Sequence, residues 1–318
     1  MKSFYSHGKL LLTGEYVVLD SAIALAVPSI YGQSLDIKKG EDGILKWSSL
    51  DENSDVWFEI EFVLSDQKIA SSLTPRNDIS DRLLQILNVA KQLNPEFLTD
   101  AKGYQISTEL GFPKNWGLGT SSTLISNIAS WAKVDAYSLL EATFGGSGYD
   151  IACANASGSL TFQLIKKNNE ILNRVQNDSS QEIKSVNFNP SFKNDIYFVH
   201  LNKKQNSRDG IKQYRENTSD LSSTIEKVNA ITQHMITCES LGGFQKLMDD
   251  HELLISEIIK ETPIKARIFN DFNGSIKSLG AWGGDFVMVA AHDNPTAYFK
   301  ANGYETILSY SEMVLSPN

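Results

Sequence analysis

The residues best suited to chemistry lie in the run Gly111-Phe-Pro-Lys-Asn-Trp-Gly-Leu-Gly-Thr-Ser-Ser-Thr123. Gly117 and Gly119 let the backbone turn tightly and approach a ligand with no side chain in the way. The hydroxyls of Thr120, Ser121 and Ser122 follow, and Leu124-Ile-Ser-Asn-Ile-Ala-Ser-Trp-Ala132 has the apolar spacing of a helix. A glycine loop opening a helix aims free N–H groups and the positive dipole end at one point. That makes an anion site, to which hydroxyls add hydrogen bonds or a ligand for Mg²⁺. A Gly-rich turn with a Ser or Thr helix cap uses the same residue types, so the segment alone supports both readings. No Gly-Lys-Ser/Thr follows the spacer, which excludes the Walker phosphate loop. The basic run Lys203-Lys-Gln-Asn-Ser-Arg208 is a second candidate. It reads either as a solvated loop or, through Lys203 or Lys204 with Arg208, as a grip on an anionic acceptor.

Around these runs the chain alternates strand and helix patterns. Leu10–Leu12 and Tyr16–Leu19 are β-rich runs around Thr13-Gly14-Glu15, followed by the apolar Ala22–Val27. Residues 34–38, 43–48 and 56–62 alternate as strands do. Asp78–Leu93 is an amphipathic helix ending before Asn94-Pro95, and Tyr104–Leu110 is a strand leading into the glycine loop. A helix over Asp135–Thr143, a short helix over Asp150–Ala156 and a strand over Ser159–Ile165 come next. Lys166–Glu182 reads as an exposed hairpin or loop, and the division into domains 1–185 and 186–318 falls just after it. Beyond it the order is a strand at Ile196–Leu201, helices over about 219–239 and 241–260, strands at Ser278–Ala281 and Phe286–Ala291, a helix at Pro295–Ala301 and a strand at Tyr304–Leu308. That order is the split β-α-β arrangement of ferredoxin-like domains. His251 reads as a surface helix residue.

Composition narrows the partners. The chain has 318 residues and a net charge of −9, so neither nucleic acid nor an anionic membrane is an expected partner. Its two cysteines, Cys153 and Cys238, are too few for a disulfide framework and have no metal-type spacing. No apolar run approaches bilayer length, and Lys2, His7, Lys9 and Glu15 argue against a signal peptide. The expectation is a cytoplasmic protein acting on a small molecule, as a monomer or homodimer.

Three ordered segments resemble the motifs of the GHMP small-molecule kinases. Gly8-Lys-Leu-Leu-Leu-Thr-Gly-Glu-Tyr-Val-Val-Leu-Asp20, continuing to Ala26-Val-Pro28, resembles the first. Gly117–Ser122 resembles the second, and Ile276-Lys-Ser-Leu-Gly-Ala-Trp-Gly-Gly-Asp285 the third. Gly146-Ser-Gly-Tyr-Asp150 resembles the segment that carries the catalytic aspartate in mevalonate and phosphomevalonate kinases, and Gly148-Tyr-Asp-Ile-Ala152 resembles a bacterial branch. The departures are Ser6-His for Ala-Pro before Gly8-Lys9, Thr120 for Ser, Ser122 for Ala, and Trp282 for a glycine, which keeps the third loop from packing in the usual way.

The resemblance implies an α+β fold, with a ribosomal-protein-S5-like domain followed by a ferredoxin-like domain bearing a helical hairpin. It implies ATP and Mg²⁺ as cofactors and phosphorylation of a small hydroxyl or phosphate acceptor, with mevalonate or phosphomevalonate leading. Asp150 would contact the acceptor hydroxyl, and Lys9 would stabilise the transferring phosphoryl group. Gly117, Leu118, Gly119, Thr120 and Ser122 would cradle the phosphates, buttressed by Gly280, Gly283 and Gly284. Ser121 and Glu141 would hold Mg²⁺, with Glu15 a second carboxylate near the substrate. Rival readings are a sugar, sugar-phosphate or homoserine-type kinase, a decarboxylase of the same superfamily, and a silent ligand sensor. Trp282 would either cover the site or fill space.

Overall fold

A computed structural model describes residues 1–64, 69–71, 78–99, 102–166, 179–203, 207–216, 220–282 and 284–316. Two compact units divide the chain. One comprises Met1–Gly8, Tyr31–Lys114 and Leu118–Asn155, and the other Lys9–Ile30, Asn115–Gly117 and Ala156–Asn318.

The first unit takes in the start of β1 (Lys2–Leu11), most of β2 (Ala24–Lys39), β3 (Ile44–Leu50), β4 (Val56–Leu64), β5 (Ile69–Ser71), α1 (Asp78–Leu93), β6 (Tyr104–Leu110), α2 (Thr120–Ala132), α3 (Ala136–Glu141) and α4 (Tyr149–Ala154). Its strands run in the order β5-β4-β3-β6-β2, with β3 and β6 parallel and the other neighbours antiparallel. Period-two alternation sends Phe58, Ile60 and Phe62 of β4 to the core face. Against them pack Leu83, Ile86, Leu87 and Ala90 of α1 and Ile125, Ile128 and Ala129 of α2. The α1 bounds equal the predicted ones. Asp78 and Asp81 favour its first turn and Lys91 its last, each sign complementing the helix dipole.

The second unit contains β7 (Leu160–Lys166), β8 (Ser179–Ser185), β9 (Ile196–His200), α5 (Ser207–Glu216), α6 (Ser222–Ile236), α7 (Leu241–Ile259), α8 (Ile264–Ile268), β10 (Ser275–Ser278), β11 (Phe286–Ala290), α9 (Thr296–Ala301), β12 (Ile307–Ser309) and α10 (Tyr310–Met313). β7 pairs antiparallel with Ala24–Ala26 of β2 and with β8. The last four strands form an antiparallel sheet in the order β10-β11-β9-β12. Counted along the chain, that is second, third, first, fourth, the ferredoxin-like split read from the sequence. The fold is α+β, as the resemblance implies. Among the described residues no helix is long and apolar enough to cross a membrane.

Four local readings change. Tyr16–Leu19, read as a β-rich run, falls instead on a 3₁₀ turn at Val17–Asp20, because Tyr16 (φ 64°) and Ser21 (φ 74°) reverse the chain at both ends. The strand predicted at Ser278–Ala281 ends at Ser278, where Leu279 N–H bonds the Phe286 carbonyl at 3.2 Å and Gly280 (φ 62°) begins the turn. Arg208 belongs to α5, not to a loop; that helix buries Tyr214 and packs Ile211 on the same face, and its remaining residues are polar or glycine. His251 is fully buried, the reverse of a surface residue. Lys204 and residues 167–178 of the expected hairpin lie outside the described residues.

Candidate functional site

The glycine loop is built as an anion cradle needs. Gly117 (φ 67°) and Gly119 (φ 94°) both take the left-handed conformation, which is costly for other residues. Gly119 is the N-cap of α2 and offers no side-chain cap. The Ser122 hydroxyl points backward and donates to the Gly119 carbonyl at 2.9 Å. The Ser/Thr-cap alternative is therefore not the arrangement adopted, and helix geometry leaves the first-turn N–H groups without intrahelical acceptors. Thr120 and Gly119 are half-buried, Ser121 is exposed and Leu118 is buried. Beneath the loop, Thr123 donates to Gln33 Oε1 at 2.7 Å, while Asn127 joins Ser6 Oγ (2.9 Å) to the Gln33 carbonyl (2.9 Å). Gly8 fits here because a Cβ would stand 3.0 Å from the Leu118 carbonyl oxygen.

In the same unit, Gly148 (φ 89°) caps α4 and places Asp150 in its first turn, half-buried. A Cβ on Gly148 would press on the Tyr137 ring at 3.0 Å. The Tyr137 hydroxyl is pushed up to about 12, chiefly by burial, with Cys153, Asp135 and Asp150 adding negative charge nearby. Asn155, just past α4, donates to Ser126 Oγ of α2 at 3.0 Å, tying the two helices. Glu141 ends α3 and is exposed.

Within the second unit, parts of all three motifs meet at Gly117. Lys9 Nζ donates to its carbonyl at 3.0 Å, and the Asp285 carboxylate lies where a Cβ of residue 117 would be. Trp116 meets Phe286 edge-on at 5.4 Å, and His200 Nε2 bonds the Asn115 carbonyl at 3.0 Å, so residues 115–117 are clamped to β9 and β11. The third motif is the β10–β11 connection; Gly280 and Gly284 lie in it, and Gly283 is outside the described residues. Trp282 fills space. It is buried in an apolar cluster with Tyr16, Val17, Tyr214 and Ile255. Lys203 is exposed, and its carbonyl accepts from Asp285 N–H at 2.6 Å.

Glu15 is wholly enclosed, paired with Lys277, which is equally buried and also donates to the Ser278 carbonyl at 2.9 Å. A substrate contact by Glu15 is incompatible with that enclosure. His251 Nε2 accepts Gly14 N–H at 3.0 Å and stands 3.4 Å from Glu15 Oε2. Glu252 accepts from Ile264 N (3.2 Å), Ser278 N (2.9 Å) and Ser278 Oγ (2.9 Å). Burial raises the Glu15 carboxyl against the pull of Lys277 and lifts Glu252 to about 6; burial and Lys277 hold His251 neutral, well below its usual range. The sequence reading missed His251 and Glu252, although both fall on the α7 face marked by Phe244, Met248, Ile255 and Ile259. It assigned no role to Lys277 or Asp285.

Among the described residues no three His, Cys, Asp or Glu side chains gather as a metal site. An exposed hydroxyl on an uncapped glycine-loop helix nonetheless suits a hard cation that takes its other oxygens from phosphates and water.

No protein-family profile and no curated protein sequence matches the chain. Solved structures do match over nearly the full length. A mevalonate kinase covers 99% of this chain and 100% of its own at 15% identity and a TM-score of 0.69. The Streptococcus pneumoniae phosphomevalonate kinase, in complex with phosphomevalonate and AMPPNP, covers 95% of each chain at 17% identity and TM-score 0.64. A Lactococcus lactis galactokinase complexed with galactose covers 100% of this chain and 94% of its own at 15% identity and TM-score 0.64. Two units, a glycine loop opening α2 and a ferredoxin-like sheet, carried at this coverage, give the chain the fold of the GHMP kinases.

Proposed function

We propose that this protein is an ATP-dependent small-molecule kinase. The observation that carries the reading is the convergence of three sequence-distant motifs on Gly117, with an ammonium bound to its carbonyl and an uncapped helix opening two residues later. Phosphoryl transfer asks little covalent chemistry of a protein and much positioning and charge. On this reading the amides of Gly117, Leu118, Gly119, Thr120, Ser121 and Ser122 cradle the triphosphate, and the β10–β11 turn with Gly280, Gly283 and Gly284 buttresses them. Lys9 stabilises the charge that develops on the transferring group. Asp150 orients the acceptor hydroxyl and accepts its proton. Mg²⁺, bound by Ser121 with Glu141 as the candidate carboxylate, would supply charge neutralisation between phosphates. Lys203, Lys204 and Arg208 offer a basic contact for an anionic acceptor.

Mevalonate or phosphomevalonate is the leading acceptor class, consistent with the resemblance of Gly146–Asp150 and with mevalonate and phosphomevalonate kinases among the solved structures. The proposed setting is cytoplasmic, as a monomer or homodimer, without nucleic acid or membrane. The test is ADP release measured across mevalonate, phosphomevalonate, galactose and homoserine. Asp150→Ala should lower turnover by roughly 10²–10⁴-fold while nucleotide affinity stays within a few-fold. Unchanged turnover removes Asp150 from the mechanism, and absence of ADP release with every acceptor removes the kinase reading for those substrates.

A further inference from the structure

Asp285 has no role in the reading above, yet its carboxylate lies directly against Gly117, close enough that a Cβ on that glycine would overlap it. The placement is not the wandering of a flexible side chain. Asp285 holds a left-handed backbone (φ 53°), an unusual state for a non-glycine residue that aspartate tolerates better than most. Two hydrogen bonds hold it there: its N–H donates to the Lys203 carbonyl at 2.6 Å, and its carbonyl accepts Leu201 N–H at 2.8 Å. The bond from Leu201 extends the β9–β11 register by one pair and the bond to Lys203 lies just beyond it, so the end of the sheet holds the backbone that carries this short side chain.

A carboxylate on an anion-binding loop changes which anion the loop prefers. Gly117 carries Lys9 on its carbonyl and Asp285 on its α-carbon side, so an approaching phosphate meets attraction and repulsion together. The repulsion grows with phosphate charge. A bare nucleoside triphosphate meets more of it than the metal complex does, because a divalent cation bound to the same phosphates removes much of their charge. A residue that served packing alone would affect both forms equally.

We propose that Asp285 is a specificity residue of the phosphate loop: its carboxylate disfavours metal-free nucleoside triphosphate and leaves the divalent-cation complex as the species bound. This rests on the nucleotide reading of the loop. Asp285→Asn and Asp285→Gly both remove the charge, and both residue types accept φ 53°, so the backbone is kept by either. Calorimetric ATP dissociation constants are measured for the full chain and both variants, in EDTA and in excess MgCl₂, with thermal unfolding as the check on folding. The expected result is that the ratio of metal-free to Mg²⁺-complexed dissociation constants falls about tenfold in both variants, through tighter metal-free binding. An unchanged ratio, or loss of Mg²⁺-ATP binding alone, overturns the proposal. If the unsubstituted protein binds ATP in neither condition, the nucleotide reading fails first and takes this inference with it.

Discussion

Two polar regions of this molecule face opposite physical problems. At the glycine loop, polar groups are left open: α2 starts on a glycine with no side-chain cap, Ser121 is exposed and Thr120 half-buried. Behind the first and third motifs, Glu15, Lys277, His251 and Glu252 are enclosed and bonded mainly to one another and to nearby backbone. Both regions use motif residues. An open polar group is available to a ligand, whereas the enclosed ion pair joins the first-motif loop to β10. The contrast separates motif residues that can act from motif residues that position.

The largest effect tests that separation. Lys277→Met leaves the Glu15 carboxylate buried without its cation and should cost about 3–5 kcal/mol of stability in denaturant unfolding. Lys9→Met gives up its bond to the Gly117 carbonyl and should cost about 1 kcal/mol, less than Lys277→Met, while lowering turnover by roughly 10²-fold or more. Equal stability losses in the two variants would erase the distinction.

A smaller effect is electrostatic and carries a sign. Glu252 moves from its ordinary 4.5 to about 6 mainly because burial penalises its charge. The folded carboxyl therefore takes a proton before the unfolded one, and stability rises by about 2 kcal/mol as pH falls from about 6 to 4.5. His251 acts oppositely: its imidazole stays neutral in the fold, so the unfolded chain is protonated first and stability is lost below about 6.5. Unfolding free energies measured from pH 7 to 4.5 should show Glu252→Gln losing more stability on acidification than the parent, and His251→Gln losing less. Parallel profiles for all three would show that neither group titrates differently in the folded and unfolded chain.

The smallest effect sharpens the geometry of the loop. Gly117 and Gly280 both have positive φ, but a Cβ at 117 overlaps Asp285, whereas one at 280 meets nothing within 4 Å. Alanine at 280 should cost roughly 1–2 kcal/mol from backbone strain alone, and alanine at 117 measurably more. Equal losses would mean that Asp285 yields freely.

Much of the architecture was legible before any coordinates. Asp78–Leu93 and Tyr104–Leu110 coincide with α1 and β6, because a clear period is bounded by Asn94-Pro95 in one case and by the glycine run in the other. The strand order of the ferredoxin-like part followed from the succession of strands and helices. α5 was not read as a helix, since Ile211 and Tyr214 are its only apolar residues, although their i, i+3 spacing marks one face. Tyr16–Leu19 misled for the opposite reason: its β-branched residues are buried in a turn, where apolar content serves packing rather than extension. His251 was read by residue type, when its spacing from Met248 and Ile255 already put it on the buried face.

From sequence alone came the local matters: where α1 starts and stops, which loop can approach a phosphate, and which glycines let that loop turn tightly. These depend on neighbours along the chain, and the residues themselves encode them. Tertiary structure decided the pairings. Lys277 could have faced solvent, and Glu15 a substrate; only the return of β10 beside the first motif, separated from it by 262 positions, encloses them together. Likewise Asp285 meets Gly117 because the β9–β11 sheet carries it there. Charge has no periodicity to reveal its partner, so the meaning of a buried ion emerges only when the chain folds back upon it.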